Sequence, residues 1–264
     1  MRRLVTIPIS HYCEKARWAL ERAGLDYVEE RHVQGIHQLK AKRAGGGITV
    51  PVLVTKEGVY PESDLILRYA DERVEEDRRL FPADPDERRE VSALCHWLDE
   101  GLGPDGRRLI YAQMLPYKGE LLRTNNQGVP RWEARTLTTF WPAITWYVKR
   151  HLSIGEATIR DDTQSVRKWF DAVAERLSDG RPYLCGNRFT AADLTFACLS
   201  APVIAPPGYG IVLPQPEEMP AAAGAMIREF REHPAGAFAL GLYRNERLPR
   251  ARAASTSADR PPAS

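Results

Sequence analysis

The chain has 264 residues, enough for one large domain or two smaller ones with a sizeable core. Its 43% hydrophobic and 27% charged residues are typical of a globular protein, and a formal net charge of +2 provides no general attraction to nucleic acid or membranes. The sequence contains no run of about eighteen apolar residues that would suit a membrane span, and no typical signal peptide. We therefore expect a cytoplasmic protein without nucleic-acid or membrane partners.

The four cysteines are widely spaced, at Cys13, Cys95, Cys185 and Cys198. They lack both the close pairs of a zinc site and the density of a disulfide scaffold. This spacing is typical of a reducing compartment, and we expect no metal.

The first seventy or so residues alternate between strand and helix patterns. The run "RLVTIPI" is rich in β-formers, and alanine and leucine then recur at helical spacing up to Gly24, a typical helix end. The next segment, "LDYVEERH", alternates like a half-buried strand. Together these patterns predict a βαβ unit.

A short basic helix, broken by three glycines, is predicted for "IHQLKAKRAGGG". The following "TVPVLVTKEGVYPES" predicts two antiparallel strands joined by a turn at residues 56–58, and a helix follows from Ser63. This order is typical of a small mixed sheet with helices on both faces. We therefore predict an α/β, thioredoxin-like domain over residues 1–75.

The segment 76–86 is highly charged and contains Pro82 and Pro85, which favours an exposed linker. Residues 87–246 show mainly helical patterns and predict an all-α domain, including one long aromatic segment, "WEARTLTTFWPAITWYVKRHL". The tail, residues 247–264, has almost nothing to bury, and we expect it to be disordered.

Two further features lie within the predicted α-domain. Thr190 and Asp193 form a capping-box pattern at the start of an apolar helix. The segment 201–220 is too rich in proline to be helical and predicts an extended loop, which either caps a cleft or connects helices.

This ordered set of features resembles the cytosolic glutathione S-transferase family over nearly the whole chain except the tail. The pattern is closest to serine- and cysteine-type members, such as tau- and omega-like bacterial proteins. The resemblance implies a thioredoxin-like domain followed by an all-α domain. It rests on four matches: Ser10-His11-Tyr12-Cys13 before a helix, Val50-Pro51 opening a strand, Glu62-Ser63 opening a helix, and the Thr190/Asp193 cap.

The resemblance implies a glutathione site in the first domain. Pro51 is then in the cis form, and the backbone of Val50 pairs with the cysteinyl part of glutathione. Glu62 and Ser63 receive the γ-glutamyl group, for which a helix start supplies free N–H groups and partial positive charge. Lys40 is a further candidate, near the glycyl carboxylate.

The resemblance also implies that the thiol of glutathione is activated at the start of the first helix, since the thiolate is the nucleophile. Ser10 is the first choice for the stabilising hydroxyl, and the phenol of Tyr12 is an alternative. Cys13 can instead form a mixed disulfide with glutathione, or simply pack in the first helical turn. His11 can assist as a base, or be a turn residue without a catalytic role.

The resemblance also implies that the second substrate binds between the domains, against helices of the α-domain. We favour Arg108 and Tyr111 because they are expected on the first helix after the linker, and an arginine there favours acidic or carbonyl substrates. The wider set of candidates in this region is Arg107, Arg108, Tyr111, Met114, Trp132 and Trp141.

We therefore expect a glutathione transferase that adds the thiolate of glutathione to a small hydrophobic electrophile, in detoxification or a specialised pathway. One alternative is a glutathione-dependent reductase, lyase or isomerase that uses the same site. Another is a non-catalytic member of the fold that acts in protein interaction or the stress response. By analogy with the family, we expect a homodimer.

Overall fold

A four-stranded mixed sheet forms the first domain in the computed structural model, which describes residues 1–247. The strand order is β2-β1-β3-β4. Strand β1 runs parallel to β2, whereas β3 runs antiparallel to both β1 and β4. The predicted mixed sheet is thus confirmed, with strands β1 (Arg3–Thr6), β2 (Val28–Arg31), β3 (Val52–Val54) and β4 (Val59–Pro61).

Helices cover both faces of this sheet, because alternate strand residues point to opposite sides. Leu4 and Leu53 are paired across β1 and β3 and belong to the main core. Val5 and Val52, the neighbouring pair in the same register, form a second cluster that includes Ala41. The three helices are α1 (His11–Arg22), α2 (Ile36–Arg43) and α3 (Ser63–Asp71), of which α1 and α3 pack together in the main core and α2 carries Ala41.

The segment predicted to be an exposed linker is partly buried. Leu80 and Phe81 are 4% and 5% exposed and belong to the main core. The Asp71 carboxylate, at the end of α3, accepts hydrogen bonds from the backbone N–H groups of both residues. The charged residues around Leu80 and Phe81 dominate the average composition of the segment. Composition alone therefore predicts an exposed segment and does not reveal this buried contact.

The second domain is helical throughout its regular structure, as predicted. Its first helix begins at Pro85, where Asp84 caps the N-terminus by accepting from Asp86 N–H at 2.9 Å. The helices are α4 (Pro85–Glu100), α5 (Leu102–Met114), α6 (Lys118–Asn125), α7 (Arg131–Thr139), α8 (Trp141–His151), α9 (Thr158–Arg176), α10 (Ala191–Ile204), α11 (Ala221–Glu232) and α12 (Pro234–Asn245).

The long aromatic segment forms two helices rather than one. α7 ends at Thr139 and α8 begins at Trp141, with Phe140 between them at φ −94° and ψ 20°. Pro142 lies in the first turn of α8, where its missing N–H leaves no hydrogen bond unmade. The proline therefore marks the start of a second helix.

The proline-rich segment after α10 is a packed loop. Tyr209 and Ile211 are each 6% exposed, and the Tyr209 hydroxyl donates to the carbonyl of Ile9 at 3.1 Å. Gly210 N–H donates to the Glu14 carboxylate at 2.8 Å. The predicted loop thus lies across the first domain.

Buried charges join the two domains around α1. Lys15, fully buried, forms an ion pair with Asp99 of α4 at 2.6 Å. Arg247, which we expected in the tail, is 9% exposed and pairs with Glu14 at 3.1 Å and with Glu21 at 2.7 Å. The rest of the expected disordered tail, residues 248–264, lies outside the described residues.

The cap of α10 holds the centre of the α-domain. Asp193 is fully buried, and its carboxylate accepts from Thr190 N–H at 2.8 Å, from the Thr190 hydroxyl at 2.7 Å and from Leu184 N–H at 2.8 Å. α10 itself is almost entirely buried. No helix in residues 1–247 has the length and apolarity needed to cross a bilayer.

We expect Asp193→Ala to lower the free energy of unfolding by about 2–4 kcal/mol, because it leaves buried backbone N–H groups without an acceptor. Urea denaturation measures this change. Asp26→Ala is the control, since Asp26 is exposed, and should change the free energy by less than about 0.5 kcal/mol. Equal effects of the two variants would contradict the role assigned to the cap.

Candidate functional site

A cavity of about 880 Å³ lies between the two domains. One wall comes from the starts of α1 and α3 and the turn before β3, and the opposite wall from α5, α8 and the loop after α10. Of the candidate site residues named from the sequence, ten line this cavity: Ser10, His11, Tyr12, Val50, Pro51, Glu62, Ser63, Arg107, Tyr111 and Met114.

Ser10 is the N-cap of α1, a position that favours serine because its oxygen accepts from free backbone N–H groups. Its Oγ accepts from Cys13 N–H at 3.3 Å, and its side chain is partly exposed to the cavity. Accepting this bond leaves the hydroxyl proton available for donation. Ser10 is therefore placed to donate a hydrogen bond at the helix N-terminus.

Cys13 lies outside the cavity lining and is fully buried. Burial raises the pKa of its thiol, and this effect outweighs the opposing positive charge of Arg17. A mixed disulfide between Cys13 and glutathione requires an accessible thiolate, and the desolvation of the sulfur opposes this role; Cys13 packs in the first turn of α1.

His11 is a buried, neutral imidazole at the edge of the cavity. Burial lowers its pKa to about 3, Arg107 adds to the decrease, and the carbonyl of Gly103 opposes it. Its Nε2 is buried and has no hydrogen-bond partner among the described residues. His11 is thus a neutral hydrogen-bonding group rather than a cation near neutral pH.

Tyr12 turns its hydroxyl towards the second domain. The phenol donates to the carbonyl of Asp99 at 2.9 Å, and burial raises its pKa. A side chain at Gly103 would place its Cβ 2.2 Å from this hydroxyl oxygen, so the close approach of α5 requires glycine. The phenol proton is therefore already engaged at the domain boundary.

The turn before β3 presents a free backbone edge to the cavity. The Val50–Pro51 peptide bond is cis, as the family resemblance implied. Within residues 1–247, neither the N–H nor the C=O of Val50 forms a hydrogen bond. The edge is open to an extended, peptide-like ligand.

Glu62 and Ser63 form the start of α3. Glu62 has φ +73°, a conformation that is uncommon for a residue with a side chain and that costs about 1–3 kcal/mol. Its N–H donates to the carbonyl of Pro51 at 3.1 Å, which ties the two cavity segments together. The N–H and hydroxyl of Ser63 form no hydrogen bond within the described part of the chain. This helix start is thus open to a carboxylate.

Lys40 lies outside the cavity. The α2 residues that line it are His37 and Gln38, and Ala41 packs under the helix against the sheet. Because each helical residue turns by about 100°, Lys40 is directed away from Ala41. Burial lowers the pKa of His37 to about 4, so α2 presents neutral groups to the cavity.

One face of α5 forms the wall contributed by the second domain. Arg107, Ile110, Tyr111 and Met114 follow helical spacing and all line the cavity. Tyr111 accepts at its hydroxyl from the Gln34 side-chain amide at 3.0 Å. The sequence already contains this helical spacing, which favours Arg107, and not the adjacent Arg108, as the arginine on the same face as Tyr111.

Arg108 points to the other side of α5. It forms an ion pair with Asp162 of α9 and a second with Asp105 at 3.0 Å. It does not line the cavity, so the structure contradicts the substrate-binding role that we expected for it. The reason is the helix register: successive residues differ by about 100° in direction. Trp132 and Trp141 are also absent from the lining.

Other lining residues come from α8 and from the loop after α10, which the sequence predicted either to cap a cleft or to connect helices. α8 contributes Tyr147, Val148 and His151, and the loop after α10 contributes Leu213 and Pro214. Gln38 of α2 donates to the Tyr147 hydroxyl at 2.9 Å, which links α2 to α8 at the cavity lining. Residues 1–247 contain no cluster of three or more His, Cys, Asp or Glu side chains able to hold a metal ion.

Family profiles match both domains of the chain. "Glutathione S-transferase, N-terminal domain" matches residues 4–78, and "Glutathione S-transferase, C-terminal domain" matches residues 138–211. No curated protein matches the chain significantly.

Solved structures share the fold at low identity. A glutathione S-transferase from Xanthobacter autotrophicus has 18% identity and a TM-score of 0.60, covering 94% of each chain. Human glutathione S-transferase T1-1 in its apo form has 16% identity and a TM-score of 0.61, covering 91% of this chain and 82% of its own. A glutathione S-transferase from Methylobacillus flagellatus with glutathione bound has 15% identity and a TM-score of 0.57, covering 91% and 93%.

We expect His11 to make folding stability fall as the pH falls. Because its folded pKa of about 3 lies below its ordinary value of 6.5, the unfolded chain binds this proton first. Between about pH 7.5 and about pH 5 the free energy of unfolding should lose roughly 2 kcal/mol from this group. Urea denaturation at both pH values measures the loss.

The variant His11→Gln should abolish that part of the pH dependence, since an amide does not titrate in this range. The control is His96→Gln, which removes an exposed histidine at the cavity and should keep the pH dependence of the wild type. An unchanged pH dependence in His11→Gln would contradict the neutral, buried state of His11.

Proposed function

Because the chain belongs to the glutathione S-transferase family, we propose that it binds glutathione in the cavity between its domains and conjugates the sulfur to an apolar electrophile. In this reaction the thiol proton leaves to solvent, and the thiolate forms a bond to the electrophilic carbon. Either a leaving group departs with its electron pair, or the adjacent carbon takes up a proton.

One observation carries the proposal: three separate segments bring unpaired backbone and side-chain groups to one side of a single cavity. The open edge at Val50 suits the cysteinyl backbone, and the start of α3 at Ser63 suits the γ-glutamyl carboxylate. Glu62, exposed at the same point, suits the glutamyl ammonium group. Ser10 lies on the same wall, where the sulfur of such a ligand would lie.

Ser10 is the residue that we assign to the thiolate. Its hydroxyl is at the N-terminus of α1 and retains a proton to donate, and a hydrogen bond to the charged form lowers the pKa of a thiol. Tyr12 is less suited because its hydroxyl is bonded to the Asp99 carbonyl. His11 is less suited as a base, since its low pKa makes it a weak proton acceptor.

A disulfide-reducing function is the less favoured alternative. It requires an accessible thiolate on the protein, and the burial and raised pKa of Cys13 oppose this. The alternative of a non-catalytic interaction or stress-response protein leaves the unpaired groups of Val50 and Ser63 without a role. Lyase and isomerase reactions use the same thiolate, and the homodimer stays a prediction.

We expect Ser10→Ala to raise the pKa of bound glutathione by about one unit or more, towards the value of about 8.5 of an ordinary thiol. Conjugation at about pH 6.5 should then fall roughly ten-fold, with little change in the affinity for glutathione. Titration of the ultraviolet absorbance of bound thiolate measures the pKa directly.

The matched controls are Ser10→Thr, which retains a hydroxyl, together with Tyr12→Phe and Cys13→Ser. All three should keep a lowered thiol pKa. If Cys13→Ser alone abolishes activity, the assignment of Ser10 is wrong.

We expect Ser63→Ala to weaken glutathione binding about ten-fold, because a charge-assisted hydrogen bond to the γ-glutamyl carboxylate is lost. Isothermal titration calorimetry with glutathione and with the dipeptide Cys-Gly separates the γ-glutamyl subsite from the rest of the glutathione site. The variant should bind Cys-Gly as the wild type does, because that peptide has no γ-glutamyl group. Failure of the wild type to bind glutathione at millimolar concentration would overturn the proposed function.

A further inference from the structure

Arg107 brings a positive charge without an acidic partner to the cavity wall. Its side chain lines the cavity, and no hydrogen bond or ion pair within residues 1–247 involves its guanidinium group. Its Nε is buried and has no hydrogen-bond partner there. A buried polar group is normally paired, so an unsatisfied donor at a cavity indicates a place for a ligand acceptor.

The other charged lining residues that bear on an anion are already paired or lie at exposed positions. Arg68 pairs with Asp64 at 2.8 Å, and Asp99 pairs with Lys15 at 2.6 Å. Glu62 and Glu100 line the cavity but are exposed to water, which screens their charges.

The acid nearest in sequence on the same helix is also occupied. Asp105 accepts from Arg108 at 3.0 Å, from the Ser165 hydroxyl at 2.5 Å and from the Trp169 indole at 3.0 Å. These three bonds hold its carboxylate on the α9 side of α5. Asp105 therefore does not neutralise the Arg107 guanidinium through an ion pair.

Arg107 lies at the end of the α5 wall that faces the thiol site. Gly103, one helical turn before Arg107 on α5, is in close contact with the Tyr12 hydroxyl, and Arg107 lines the same cavity as Ser10 and His11, so its side chain lies near the start of α1. On the same face of α5, Ile110 and Met114 continue away from it, and with a rise of about 1.5 Å per residue the wall extends about 10 Å from Arg107 to Met114.

The remaining lining is largely apolar along this direction. Side chains from α6, α8 and the loop after α10 complete it, including Leu121, Val148, Leu152, Leu213 and Met219. A ligand that matches this surface has an apolar body and an acidic group at the end near α1. A neutral apolar ligand would leave the Arg107 donors unpaired.

We propose that Arg107 is a specificity-determining residue that binds the carboxylate of the second substrate, so that the preferred electrophiles are apolar carboxylic acids. This inference rests on the proposed function, since it names the substrate class of the same cavity. The guanidinium group offers a planar pair of N–H donors that matches a carboxylate.

The test uses two aryl chlorides that share one electrophilic carbon. They are 4-chloro-3,5-dinitrobenzoate and its methyl ester, which differ in the negative charge. The glutathione thiolate forms a C–S bond, the C–Cl bond breaks, and chloride leaves with the electron pair. We expect the wild type to favour the carboxylate over the ester by about 10- to 100-fold in kcat/KM, after normalisation to the uncatalysed rates.

Three variants separate Arg107 from its surroundings. Arg107→Met, of similar length but without charge, should abolish the preference, mainly by raising KM for the carboxylate. Arg107→Lys should keep part of it, because the charge remains and the paired donors are lost. Arg108→Gln removes the same charge from the neighbouring position outside the cavity and should keep the full preference.

A binding measurement does not depend on conjugation. Calorimetry with 3,5-dinitrobenzoate, which has no leaving group, and with its methyl ester should show the same preference in the wild type and its loss in Arg107→Met. If the wild type binds the acid and the methyl ester equally well and also conjugates the two aryl chlorides equally well, the inference is overturned and the proposed function stands. If binding prefers the acid and no conjugation occurs, the proposed function fails and the anion site stands.

One further outcome would also overturn the inference. If Arg107→Met slows both substrates equally and raises the pKa of bound glutathione, the guanidinium acts on the thiolate and not on the second substrate.

Discussion

The burial of charged side chains of α1 between the two domains is the constraint on which the rest of the structure depends. Lys15 pairs with Asp99 of α4 at 2.6 Å, and Glu14 pairs with Arg247, after α12, at 3.1 Å. Such pairs add little net stability by themselves, yet removing one partner costs about 3–5 kcal/mol because a charge is left buried. The domains therefore have one favourable orientation around α1.

This orientation of the two domains leaves the cavity between them. The N-terminus of α1, with Ser10 as its cap, faces the space between the sheet domain and α5. A second contact holds the far side, where the carboxylate of Glu133 in α7 accepts from Val33 N–H at 3.1 Å and lies 2.8 Å from the Nδ1 of His32. The two contacts hold α4 and α7 of the α-domain against the first domain.

Within the cavity, desolvation decides which polar groups are reactive. His11 and Cys13 lie within three residues of Ser10 in sequence, but burial keeps the thiol protonated and the imidazole neutral. Ser10, at the surface of the cavity, needs no change of charge to donate a hydrogen bond. The assignment of roles among adjacent residues thus follows from exposure and not from residue type.

Much of the fold was predictable from local patterns. The strand and helix order of the first domain, the cap at Thr190 and Asp193, and the helix starts at Ser10 and Ser63 all follow from short-range rules of periodicity and capping. Proline-rich and charged segments were predicted less well. Residues 80–81 are buried because the Asp71 carboxylate binds their backbone, a contact over nine residues that composition does not reveal.

The sequence by itself determined which chemical groups stand at the helix starts and at the strand edge, because caps, prolines and periodicity act over a few residues. Only the tertiary structure decided which of those groups line the same cavity. It also decided which of two adjacent residues on a helix faces that cavity. Arg107 faces the cavity and Arg108 faces Asp162, although they are adjacent and identical in type. The physical reason is that a helix fixes the angle between neighbours, while the packing of whole domains decides which direction is buried, paired or open.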